Sequence, residues 1–136
     1  MIKLALIMPA LLLTISVSAF ASEKIIQPLA IAKTYCGTTF DALRGVWSGT
    51  SPTATLVTEA VHKINGSGYT FSDFATEKGK PYSEKDFRDQ LTLALTNMET
   101  NKNTFKRRQD FEKSMDVQEL ACLVQRSMPD RSRDRK

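Results

Sequence analysis

Histidine is almost absent from this chain: His62 is the only one. A zinc site takes three or four ligands drawn from Cys, His and carboxylates. With one histidine and two cysteines, no metal site is expected. His62 sits beside Val61, one step off an apolar stripe, and reads as a surface or core-edge residue. Nucleophilic catalysis needs a Ser, Thr or Cys beside a base, and no Gly-x-Ser-x-Gly elbow occurs. Glycine-rich phosphate loops precede helices, whereas Gly66 and Gly68 follow one. Glu84-Lys85-Asp86 and the run from Asp110 to Lys113 mix signs and read as wet helix faces, not as the paired carboxylates of glycosidic chemistry. No catalytic residue and no cofactor are expected.

Long apolar runs are missing too, except at the start. Leu4 to Phe20 carries no charge, follows Lys3, and leads to Ala19-Phe20-Ala21, small residues at the positions a signal peptidase reads. The run is short for a membrane span and Pro9 interrupts it. The reading is a cleaved signal peptide over residues 1–21. The mature chain would enter the periplasm, or be exported beyond it. No spanning segment is expected after cleavage.

A net positive body is also absent. The chain holds 19 basic and 15 acidic residues. Setting aside Lys3 and the stretch Arg126–Lys136, 13 of each remain. A neutral body argues against nucleic-acid binding, which needs a basic face for phosphates. The excess lies in the last residues, and 129–136 reads as a basic flexible tail. Residues 22–128 are expected to form one helical domain.

Two cysteines, Cys36 and Cys122, remain in that domain. In an oxidising compartment such a pair is expected to be bonded. Its wide spacing is unlike the close Cys-x-x-Cys of redox-active thiols. The chain-entropy estimate for so long a loop is about 4–5 kcal/mol.

The patterning is helical throughout. Pro28 suits a first helical position, and Leu29, Ala32, Cys36, Phe40, Leu43 and Trp47 recur at steps of three and four. Ser51-Pro52 opens a second helix with Leu56, Val57, Ala60, Val61 and Ile64 as its apolar face, and Asn65-Gly66-Ser67-Gly68 ends it. Ser83 caps a third, with Phe87, Leu91, Ala94, Leu95 and Met98. A fourth is expected over Thr104–Met115. Asp116-Val117-Gln118-Glu119 resembles a capping box and predicts a fifth helix, apolar on several sides and therefore central. Its face is Val117, Leu120, Ala121, Val124 and Met128. The expected fold is all-α: a small bundle of four to five short helices, stapled by one disulfide between the first and last.

Tyr69 to Tyr82 fits no periodic pattern and reads as an ordered loop or a short helical turn pinned by aromatics. Tyr69, Phe71, Phe74 and Tyr82 gather there beside Lys78 and Lys80. Aromatics on loops of a rigid scaffold are candidate protein-binding residues; as an alternative, they cover one end of a small core.

Small exported helical domains held by a disulfide are similar in architecture to the immunity proteins paired with type VI secretion effectors. That resemblance implies an inhibitor that binds another protein of the cell envelope. No motif accompanies it, so no binding residue carries over. The periplasmic acid-stress chaperones are similar in being small, helical and held by one disulfide, which implies the alternative of a stress chaperone. A component of a secretion or conjugation apparatus, docked by its basic tail, is a third expectation. Intact mass spectrometry of the exported protein without reductant is expected to show a chain beginning at Ser22, two hydrogens lighter than its reduced form. Two free thiols would overturn both the staple and the compartment reading.

Overall fold

The computed structural model describes residues 23–129. The expected leader at 1–21, and all but the first residue of the expected tail at 129–136, lie outside the described residues. Among the described residues there are four α-helices: α1 (Leu29–Ser48), α2 (Thr53–Asn65), α3 (Glu84–Thr100) and α4 (Arg108–Ser127). Single 3₁₀ turns occupy Phe71–Phe74 and Lys102–Thr104. Among the described residues there is no strand, only one isolated bridge between Lys24 and Glu77. The all-α expectation holds, with four helices.

α1 is the centre. It packs against α2, α3 and α4, and α2 also packs on α3. Ala32, Cys36, Phe40 and Leu43 are buried as their spacing predicts; Val46 joins them, Trp47 is half-buried and Leu29 of the same stripe is exposed. Gly45 lies where α2 crosses: a Cβ there would meet Leu56 Cδ2 at 2.9 Å. α1 ends at Gly49, which takes φ of 72°. Its N–H returns to the carbonyls of Gly45 and Val46, a left-handed cap that costs glycine no strain.

Local signals place the other ends. Pro52 precedes α2 in extended backbone, with no side-chain cap from Ser51. Ser83 caps α3: its Oγ accepts from the Asp86 N–H, and the Asp86 carboxylate accepts from the Ser83 N–H. These bonds hold the Asp86 carboxyl below its ordinary pKa range.

The C-terminal half departs from expectation in two ways. First, no break falls at Met115–Asp116; a single helix runs from Arg108 to Ser127. Asp116 and Glu119 do not cap anything. They face α1, where Arg44 donates to Glu119 Oε1 and Asp116 Oδ1, each at 3.0 Å, and to Glu112 Oε1 at 3.3 Å. The i, i+4, i+7 spacing of these acids puts them on one helical face. Burial lowers the pKa of Arg44, but hydrogen bonds and charge from Glu119 and Glu112 outweigh it and raise the value. Second, α4 is not buried all round. Phe111 and Met115 enter the core, while Val117, Leu120, Ala121, Val124 and Met128 face outward. The core takes its large side chains from the opposite face of the helix.

The staple is present. Cys36 and Cys122 are bonded at 2.02 Å with Cα atoms 6.0 Å apart, bridging 86 positions of sequence. The entering chain lies beside the end of α4. Gln27 N–H donates to the Arg126 carbonyl at 2.7 Å, and Lys24 Nζ donates to the Met128 carbonyl at 2.8 Å. No described helix is long and apolar enough to cross a membrane.

Arg44 is only 24% exposed and serves three acids of α4. Arg44→Met is expected to lower unfolding free energy by about 1–2 kcal/mol in urea titrations, because three ion pairs to α4 are lost together. Lys63→Met, which loses an ion pair exposed on both sides, is expected to cost under about 1 kcal/mol.

Candidate binding surfaces

The aromatics singled out in sequence do come together, but mainly as structure. Phe74, at the end of the 3₁₀ turn, is completely buried. It is a core residue and offers a partner nothing, which corrects its assignment as a contact. Tyr69, Phe71 and Tyr82 are half-buried against the same core. Phe71 packs on Phe87 with centroids 5.4 Å apart, and Phe74 on Tyr35 at 5.5 Å.

Arg126 closes this cluster. Its guanidinium carbon lies 3.5 Å from the Tyr35 ring centroid, and Nη1 donates to the Phe74 carbonyl at 3.1 Å. Burial lowers its pKa, partly offset by Tyr35 and Tyr82. An arginine stays charged regardless, so this is a cation–π contact of a partly desolvated ion. Tyr82 Oη donates to Gln90 Oε1 at 2.7 Å. Burial, and then Tyr35, push the Tyr82 phenol well above its ordinary range. Lys78 and Lys80 are exposed and pair with Glu23 and Glu77. The cluster therefore ties the irregular loop to α1, α3 and the end of α4. No sequence signal ties Arg126 to it, because the Phe74 carbonyl and the Tyr35 ring that it contacts lie 52 and more positions away.

His62 is exposed on α2. Among the described residues no group of three or more His, Cys, Asp or Glu could hold a metal ion.

Sequence reasoning missed a groove. α3 and α4 both pack on α1 but scarcely on each other. A groove of about 320 Å³ lies between them. Leu43, Ala94, Met98, Phe105 and Met115 give it apolar walls, and Asn97, Asn101, Thr104 and Gln118 surround these with amides and a hydroxyl. No charged residue lines it. The connection between the helices closes one end. There Phe105 packs edge-on against Phe111, Phe111 stacks on Trp47 at 4.2 Å, and Trp47 Nε1 donates to the Lys102 carbonyl. In sequence, Ala94 and Met98 read simply as α3 core. Only the separation of two helices leaves them lining a cleft.

No family model matches the chain, and neither the curated proteins nor the solved structures include a significantly similar one.

Phe74→Ala is expected to cost about 3–5 kcal/mol in chemical denaturation, as for other buried aromatics. Tyr69→Ala, at the half-buried rim, should cost clearly less. Equal costs would place both residues in the core.

Proposed function

We propose that this chain is a small exported, non-enzymatic protein that binds and blocks another protein of the cell envelope, as periplasmic inhibitors and immunity proteins do. The groove between α3 and α4 carries this reading. It is concave, apolar at its floor and uncharged at its rim, and its volume lies at the small end of the range that receives inserted groups. An apolar side chain from a partner's loop would fill it. The amides of Asn97, Asn101 and Gln118 stand where they could meet the backbone around that side chain. An apolar anchor inside a polar rim is the usual anatomy of a binding hot spot.

Rigidity supports the reading as well. One wall belongs to α4, which is bonded covalently to α1. The other belongs to α3, packed on α1 and α2. A preformed site loses little entropy on binding. The oxidised cysteine pair and the leader-like start are consistent with an extracytoplasmic location.

Affinity capture from a periplasmic extract is expected to return one stoichiometric partner. Asn97→Arg sets a long charged side chain at the exposed rim, and should weaken that complex by at least about tenfold, or ~1.4 kcal/mol, without changing the melting temperature. Capture of many proteins with no stoichiometric partner would favour a chaperone instead. A single partner indifferent to Asn97→Arg would move the site elsewhere.

A further inference from the structure

The two halves of α4 are held in different ways. Phe111 and Met115, both in the first half, are its buried residues. Beyond Met115 no residue of the helix is fully buried. That second half is held by polar contacts and one covalent bond. Arg44 reaches Asp116 and Glu119, and Cys122 is bonded to Cys36. Arg126 lies over Tyr35 and donates to the Phe74 carbonyl, while its own carbonyl accepts from Gln27. Val117, Leu120 and Val124 of this half face outward and add nothing to the core.

The sequence at the junction reads as a helix start. Asp116 followed by Glu119 has the form of an N-cap with its N3 partner. Yet both carboxylates serve Arg44, and the helix runs straight through. Asp116 therefore has two alternative duties: ion-pair partner in the continuous helix, or cap of a shorter one beginning at Val117. A conflict between local preference and the folded arrangement marks a place where strain or a switch is expected.

We propose that the Cys36–Cys122 bond is a latch: its reduction releases α4 beyond Met115 from α1, about a hinge at Met115–Asp116, and opens the groove. Met115 and Gln118 both line the groove but lie on either side of this hinge. The wall that α4 supplies is thus complete only in the oxidised protein. The chemistry is thiol–disulfide exchange with a dithiol. Cys36 is wholly buried and Cys122 partly exposed, so the incoming thiolate bonds to Cys122 Sγ. The bond to Cys36 breaks, and Cys36 leaves as a thiolate that takes up a proton. The second thiolate of the dithiol then displaces Cys122, which is protonated in turn. The protein gains two thiols, and the dithiol, having lost two protons and two electrons, departs as its own disulfide. What still holds the second half is ion pairs and a few hydrogen bonds, and a helix as short as 117–127 is marginal on its own.

The first half stays in place. Phe111 stacks on Trp47 and meets Phe105 edge-on, and Trp47 is the chain's one tryptophan. Its emission reports on the first half of α4, whereas amide exchange reports on both.

The test is amide hydrogen exchange, followed residue by residue by NMR, on oxidised protein from the periplasmic fraction and on the same protein reduced with dithiothreitol. Amides of 117–127 are expected to exchange at least about tenfold faster after reduction. Those of α1, α2 and α3 should keep their rates, and Trp47 emission should not move. Slow exchange beyond Met115 in the reduced protein overturns the latch. Faster exchange spread over all four helices, or a red shift of Trp47 emission, overturns it too, because the whole helix or the whole domain has then come loose. The effect on binding rests on the groove being the partner site. Reduced protein, freed of dithiothreitol under argon, is expected to hold the captured partner at least about tenfold more weakly. A partner that is sensitive to Asn97→Arg yet held equally by both forms overturns the gating. Exchange is read on the free protein and Asn97→Arg on the oxidised complex, so failure of the latch and failure of the groove reading are separate results.

Discussion

The attachment of α4 to α1 is the contact on which the rest of the molecule depends. It is a mixed line and not an apolar seam. Near one end Phe111 and Met115 enter the core. Along the middle Arg44 gathers Glu112, Asp116 and Glu119. Farther on Cys122 is bonded to Cys36, and at the far end Arg126 lies over Tyr35. Two large apolar residues alone bury little for a 20-residue helix. The covalent bond and the ion cluster supply what hydrophobic burial does not. For a domain whose net stability is typically ~5–15 kcal/mol, a bridge of typically about 2–4 kcal/mol is a large share.

This mode of attachment determines both the groove and the outward stripe. Because polar and covalent contacts hold α4, its richest apolar stripe is left facing outward. Because α4 is fastened to α1 and not to α3, the two flanking helices stay apart, and the groove lies between them. One constraint thus leaves a groove on one side of the helix and an exposed apolar stripe on the other.

Much of the fold was legible from short-range patterns, since those patterns act locally. Ser83 caps α3 as read, Gly66 follows the end of α2, and Cys36 and Cys122 pair as an isolated couple in a stapled domain should. The failures have one cause. Asp116 and Glu119 carry the same Ser/Asp-x-x-acid pattern as Ser83 and Asp86, yet they sit in mid-helix because Arg44, more than 70 positions away, takes their charge. Periodicity likewise shows that α4 has an apolar stripe without showing which side of the helix is covered. Phe111 and Met115 are fewer than the five residues of the outward stripe, and they are the ones buried. Phe74 looked like a loop aromatic and is core because Tyr35, from α1, meets it. The groove was illegible for the same reason, since a gap between helices belongs to no segment.

The bridge also determines how the molecule would bear a pull on its two ends. Tension entering at the start of α1 reaches Cys36, crosses the sulfurs to Cys122 and leaves through the last turns of α4. Residues 37–121, with α2, α3 and the groove, lie off that line of force and carry no load while the bridge is intact. The short flanking pieces are joined side by side through Gln27–Arg126 and Lys24–Met128, so they would peel apart first, one hydrogen bond at a time. Stretched between two anchorage points, the protein would act as a closed shackle, losing its ends and keeping its groove.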